Sequence, residues 1–298
     1  MILVAGSANL DFVVRAKHIP APGETVLGRD FRTFPGGKGA NQAVASALAG
    51  GAATTMIVSL GNDAFAVPLE ESLNAAGVRL HIKRVAEQPT GTAFICVSDD
   101  AENAITVAPG ANNSLRPDDM VPPAELSGFT HLLLQLETPM DTVTAFAHDA
   151  RLAGVKVVLN AAPAQRLSSE LLALLDVLIV NEGELAVVAN DAGSIEECLE
   201  RIQVPCVVVT LGSRGACAWV AGRILKQSAF PVTPVDTTGA GDTFCGAFVA
   251  ALSQGQSVAL ALRQASAAGA LACTKPGAQS SIPTLAEVRT FLTNSIAP

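Results

Sequence analysis

The chain has 298 residues, 49% of them hydrophobic and 15% charged, and its 19 Lys and Arg against 27 Asp and Glu leave a formal charge of −8. That apolar content excludes a disordered chain, and the acidic excess argues against nucleic acid and against polyanionic partners in general. No uncharged apolar run approaches the roughly 18–20 residues that span a bilayer, and the length suits one large α/β domain or two modest ones.

In chain order, residues 2–6 read as a buried strand rather than a secretory leader, because no Lys or Arg precedes Arg15 and Asp11 comes early. Residues 12–15 and 25–34 alternate apolar and polar around the turn IPAPGE, and 92–97 and 104–107 do much the same. Alternation marks strands with one solvated face, here a small sheet projecting from the main layer as a lid. From residue 130 the pattern changes. Near-continuous apolar runs at 131–136, 155–159, 177–180 and 206–210 suit strands covered on both faces, with helical composition at 140–153 and 183–189. This βαβ series predicts a doubly wound α/β layer. No linker or repeat divides the chain, so residues 1–298 are expected to form one domain, its lid strands drawn from about 11–34 and 91–108.

Polar residues follow each late strand: Glu137, Asn160, Asn181, and Thr210 with Gly212. Ligands of open α/β sheets bind at the carboxyl ends of strands. Singly, each such residue could simply open a loop or cap a helix. As a set, they point to one crevice. The six cysteines (Cys96, Cys198, Cys206, Cys217, Cys245, Cys273) form no CxxC pair, and neither they nor His18, His81, His131 and His148 show zinc-like spacing. Unpaired thiols fit a reducing, cytoplasmic setting.

Three motifs carry chemistry. In the first, Asp236-Thr-Thr-Gly-Ala-Gly-Asp242 feeds a helix whose Phe244, Phe248 and Leu252 recur at every fourth position. Glycines at a helix start expose backbone N–H groups, which with the helix dipole make a phosphate-sized anion hole. Asp242 stands at its mouth, where a carboxylate can take a proton from an attacking hydroxyl; alone, it could be an ordinary capping residue. The second motif, Gly36-Gly-Lys-Gly-Ala-Asn41-Gln-Ala, offers Lys38 and Asn41 from a Gly-rich turn entering a helix that ends at Gly50-Gly51. It is not a Walker A loop, because Gly39 stands where Ser or Thr is required, and no GxGxxG occurs. Third, Asn9 and Asp11 are two apart in extended chain and so point the same way. They could grip adjacent hydroxyls of a polyol, or form an Asx turn.

Together these residues closely resemble the ribokinase-like (PfkB-type) carbohydrate kinases, from GSANLD to KPGAQSS, with PAPGETV, APGAN, LQLETP, NAAPA and TLGSRG between. The resemblance implies a Rossmann-like α/β domain with a β-sheet lid, and ATP-dependent phosphorylation of the 5-hydroxyl of D-ribose. By position it implies Asp242 as catalytic base and Gly239, Ala240 and Gly241 as the anion hole. Asn9, Asp11, Gly37, Lys38, Asn41 and Glu137, with Asp242, would hold the sugar. Asn181, Thr210, Gly212, Ser213, Gly215, Gly241 and Ser266 would meet ATP, and Asn181 and Glu184 would join the Mg²⁺–phosphate network. Asp236, Thr238, Ala272, Lys275, Gly277 and Ser281 match a monovalent-cation (K⁺) site built largely of backbone oxygens, with Lys275 in place of a more usual Arg. Ser266 stands where relatives often place His or Asn. A homodimer joined through the lid follows both from the resemblance and from the open edges of a projecting sheet. Rival readings are a family kinase acting on deoxyribose, a nucleoside, fructose or a sugar acid, and a sugar- or nucleotide-binding regulator without turnover.

Overall fold

Apolar runs with no polar face fold into the centre of a covered sheet. In the computed structural model, which describes residues 1–100, 102–191 and 193–295, such runs form the centre of the larger of two sheets, which has a core on each face. The strands are β1 (Ile2–Ala5), β2 (Asn9–Arg15), β3 (Asp30–Gly36), β4 (Thr54–Gly61), β5 (Arg79–Val85), β6 (Gly91–Val97), β7 (Asn103–Ala108), β8 (His131–Leu134), β9 (Lys156–Asn160), β10 (Val177–Asn181), β11 (Cys206–Thr210), β12 (Ala216–Val220) and β13 (Arg223–Gln227). Nine form one sheet in the order β13-β12-β11-β10-β9-β8-β1-β4-β5, and four form a second in the order β3-β2-β6-β7. From β11 to β5 every pairing in the large sheet is parallel, and β12 and β13 extend it antiparallel. The order reverses between β1 and β8, and such a switch point opens a crevice at the strands' carboxyl ends.

The helices are α1 (Lys38–Leu48), α2 (Ala66–Ala75), α3 (Pro123–Leu126), α4 (Met140–Leu152), α5 (Ser169–Leu174), α6 (Glu182–Ala189), α7 (Ile195–Arg201), α8 (Ala240–Ser253), α9 (Val258–Ala272) and α10 (Leu285–Asn294). Alternate residues of each central strand feed alternate cores. Ile2 and Val4 pack with α1, α8, α9 and α10, whereas Leu3 and Ala5 pack with α4, α5 and α7. No helix among the described residues is long and apolar enough to cross a membrane.

The lid differs in detail from its expected strands. The strand expected over 25–34 starts only at Asp30, because β2 ends at Arg15 and the register pairs Arg15 with Asp30. Residues 25–28 therefore have no partner, and Leu27 is 87% exposed. Within the span 91–108, Ala101 lies outside the described residues. The N-terminal third also does more than build a lid, since β1, β4 and β5 belong to the large sheet.

One helix contact positions everything that follows. A Cβ on Gly246 of α8 would lie 2.5 Å from the carbonyl oxygen of Gln42 and 2.6 Å from Cβ of Ala45, so α8 meets the backbone of α1 directly. Ser46 Oγ donates to Gln42 O at 2.8 Å within the same interface. Gly246→Ala gains about 1 kcal/mol of helix propensity, yet overpacking costs about 1–3 kcal/mol. It is expected to lower the Tm by several degrees in a thermal melt. An unchanged or higher Tm would show that the two helices separate freely.

Candidate active site

The first motif residues meet where β1 and β2 approach the start of α1. Between β3 and α1 the chain turns at Gly37, whose φ is 88° and whose Cβ would lie 2.7 Å from Asn9 N. Only glycine fits so close an approach with positive φ. The turn delivers Lys38 N to Glu137 Oε2 at 3.0 Å, and Ser7 Oγ donates to the same oxygen at 2.5 Å. Asn9 is held by Asn112, whose Nδ2 donates to Asn9 Oδ1 at 2.8 Å. Asn9 and Asp11 are both buried and lie on one face of β2.

Asp242 enters from the opposite side, in the first turn of α8. Asn41 Nδ2 donates to its Oδ2 at 2.9 Å and Gln42 Nε2 to its Oδ1 at 2.9 Å. The helix is capped by Gly239 in the left-handed region, φ 74°. Of the three expected anion-hole positions, Ala240 N is engaged with Thr237 O at 3.2 Å. The N–H groups of Gly239, Gly241 and Asp242 donate to no described residue, and a Cβ on Gly241 would meet open space.

Lys38, Asn160, Asn181, Glu184, Thr210 and the start of α8 line one cleft. The strand ends of β9, β10 and β11 thus converge as expected, but Glu137 does not join them. It lies one step away, on the side of Ser7 and the Lys38 amide, because β8 stops at Leu134 and the chain turns early. Asn181 and Glu184 form a reciprocal cap on α6: Glu184 N donates to Asn181 Oδ1 and Asn181 N to Glu184 Oε2, both at 2.8 Å. Gly212, Ser213 and Gly215 follow Thr210 out to the rim, and Arg214 there pairs with Glu182. Ser266 sits on α9 outside the cleft wall, its Oγ buried and without a hydrogen bond among the described residues.

The expected cation-site residues fall in two loops joined by Asp236. Its Oδ1 accepts from Thr238 N and its Oδ2 from Gly277 N, both at 2.9 Å. Burial acts to raise the pKa of Asp236, but these amides outweigh it and hold the carboxyl below its usual range. Ala272 ends α9, Ser281 Oγ donates to Ala278 O at 2.8 Å, and Lys275 Nζ points away to Glu287 Oε1 at 3.1 Å.

Charge is concentrated here. Asp242 above all raises the pKa of Lys38, against burial and with help from Glu137 and Glu184. Burial, reinforced by Asp242, raises Glu184 despite the Asn181 amide and Lys38. Asp11 is pushed up to about 7, first by burial and then by Glu137 and Asp242. Sequence reasoning left out Ser7, Gln42, Asn112 and Gln135. All four lie inside quoted motifs, Ser7 in GSANLD, Gln42 in GGKGANQA, Asn112 in APGAN and Gln135 in LQLETP, which was the available signal, but a motif does not say which way each side chain points.

A carboxyl whose pKa is higher folded (about 7) than its ordinary value of 3.8 favours the folded state at low pH, and that stability is lost as pH rises through 7. Asp11→Asn is therefore expected to raise the Tm more at pH 8 than at pH 5. Thermal melts at both pH values check this, and an equal gain at both would remove the burial penalty assigned to Asp11.

Residues 1–285 match the profile described as pfkB family carbohydrate kinase. The ribokinase of Haemophilus influenzae is 40% identical over 302 aligned positions, covering 98% of each chain. Among solved structures, ribokinase from Thermotoga maritima superposes with a TM-score of 0.91 at 37% identity, covering 98% of this chain and 99% of the other. Arabidopsis thaliana ribokinase complexed with ribose and ATP superposes with a TM-score of 0.89 at 33% identity, covering 98% of both. The likeness runs through the lid, the switch point and both Gly-rich turns that build the cleft, and on that basis the chain belongs to the pfkB family of carbohydrate kinases.

Proposed function

We propose that this chain is a ribokinase, which transfers the γ-phosphoryl group of ATP to the 5-hydroxyl of D-ribose and releases D-ribose 5-phosphate and ADP. The observation that carries this reading is the placement of Asp242 between two differently built sites. On one side lie Asn9, Asp11, Asn41 and Glu137, donors and acceptors suited to a small neutral polyol. On the other lies a cleft with free helix-start amides, suited to phosphates.

In this mechanism Asp242 takes the proton of the sugar hydroxyl. Its carboxylate has about four lone-pair sites. Asn41 and Gln42 occupy one on each oxygen, which leaves others for the hydroxyl. The N–H groups of Gly239 and Gly241 and the Lys38 ammonium stabilise charge on the transferring group. Asn181 and Thr210 face the phosphate chain, and Ser213, Gly215 and Ser266 lie towards the nucleoside. A divalent ion, if held through Asn181 and Glu184, would supply neutralising charge to the phosphates. Among the described residues, no group of three or more His, Cys, Asp or Glu could hold such an ion alone. A Mg²⁺ that arrives with ATP and reaches Asn181 and Glu184 at its periphery fits that donor set. The loops of Asp236, Thr238, Ala272, Lys275, Gly277 and Ser281 suit K⁺ held by carbonyl oxygens. Asp236 already ties the two loops together, and the Lys275 ammonium is directed away from them. Because Gly239 packs against Ala278 at the edge of these loops, a cation there would steady the anion hole.

Residues 1–298 act as one unit, with the four-stranded sheet closing over the sugar. The lid's other face supports a homodimer. Phe12 stacks with Phe31 and Phe94, at centroid distances of 6.1 and 5.4 Å, and both outer rings are more than half exposed. Asp11 and Phe12 point to opposite faces of β2, so the sugar side stays free when the apolar side is covered by a second lid. Six free thiols fit a cytoplasmic location.

The direct test is ADP release with product analysis over pentoses, deoxyribose, hexoses and nucleosides. Ribose is expected to give the highest kcat/KM, with phosphate on C5, and a rival substrate preferred by tenfold would displace it. Asp242→Asn is expected to lower kcat by about 10²–10⁴, with ribose affinity by calorimetry kept within a few-fold. Near-normal turnover would remove Asp242 from the role of base. Rates in KCl are expected to exceed those in NaCl at equal ionic strength, and equal rates would count against the cation loops.

A further inference from the structure

Gln42 is fully buried and takes no part in the cleft wall. Yet every polar atom of its side chain is engaged. One proton of its Nε2 goes to Asp242 Oδ1 and the other to Asn160 Oδ1, each at 2.9 Å. Its Oε1 accepts from Gln135 Nε2 at 2.7 Å. The direction of this amide is settled by its neighbours. Asn160 Nδ2 donates to Ile179 O at 3.2 Å, which leaves Asn160 Oδ1 as an acceptor. An ionised carboxylate only accepts. Gln42 must therefore turn its NH₂ towards the pair, and Gln135 keeps it there.

We infer that Gln42 is a positioning residue for phosphoryl transfer, locking the Asp242 carboxylate in the one orientation that aims its free lone pairs at the sugar hydroxyl. This rests on the reading of Asp242 as the base. The need for such a lock is physical. The terminal torsion of an aspartate is broad and nearly two-fold, so the backbone of α8 alone does not hold the carboxylate plane. The Lys38 ammonium attracts that carboxylate. Without Gln42, Asp242 would rotate towards Lys38, and a small misplacement of a reacting group is enough to lose a hundredfold in rate. Asn41 holds Oδ2 from one side only. The second hydrogen bond, on Oδ1, turns a pivot into a clamp.

The test uses three variants of the full chain. Gln42→Met keeps length and bulk but cannot donate. It is expected to lower kcat about 10- to 100-fold, the loss of one hydrogen bond to a charged group, while ribose affinity by calorimetry stays within threefold. A kcat within twofold of the original chain, or a parallel loss of ribose affinity, would overturn the inference. Gln42→Glu can donate to Asp242 only while protonated. Its rate relative to the original chain is expected to fall steadily from pH 5.5 to 8.5, which a space-filling role would not produce, and a flat ratio overturns the inference. Should Gln42→Met fail to fold, Gln135→Met, which frees the Gln42 amide to flip, is expected to lower kcat about 3- to 10-fold at unchanged affinity. No change there counts against the lock. Failure of the original chain to phosphorylate ribose would count against the function proposed above instead. The crystal structure of whichever variant folds then decides the inference: a carboxylate rotated towards Lys38 supports it, and one left in place overturns it.

Discussion

The close approach of α1 to α8 is the constraint on which the site depends. The two helices are about 200 residues apart in sequence, and each carries half of the machinery. α1 brings Lys38, Asn41 and Gln42, while α8 brings the open amides and Asp242. Their side chains meet at hydrogen-bonding distance only because Gly246 lets the α1 backbone come within the reach of a missing Cβ. A larger residue there would act first on packing, and through packing on geometry that tolerates little error.

Electrostatics is the second constraint. Glu137, Glu184 and Asp242 crowd around one ammonium, and Lys38 is the only cation lining the cleft among the described residues. A net charge of −8 taken alone argues against polyanionic ligands. That argument holds for a nucleic-acid surface, where many phosphates must be neutralised. It fails for a single nucleotide, because helix-start amides supply positive potential without adding to the formal charge. Three of those amides are open in this structure.

The motif glycines were legible because their constraint is local. Gly37 needs positive φ, and Gly239 caps a helix in the left-handed region. The apolar runs that became β8 to β11 were legible for a similar reason, since a strand covered on both faces admits few polar residues. Boundaries were less so. Residues 25–28 alternate as a strand should, but a strand needs a partner, and β2 has ended by then. Glu137 was grouped with Asn160 and Asn181 because all three follow a strand, yet the chain leaves β8 early and carries Glu137 to the Lys38 amide instead.

By itself the sequence determined the fold class and the two Gly-rich turns, since each depends on periodicity or on backbone conformations that few residues adopt; Asp242 as the candidate base came from the family resemblance. Only the tertiary structure decided how the Asp242 carboxylate is held. Gln42, Gln135 and Asn160 come from a helix, the segment after β8 and the end of β9, and nothing in their own neighbourhoods says that they share one network. Hydrogen bonds between side chains far apart in the chain leave no periodic trace. They exist only once packing has fixed two elements at the distance where a donor reaches an acceptor.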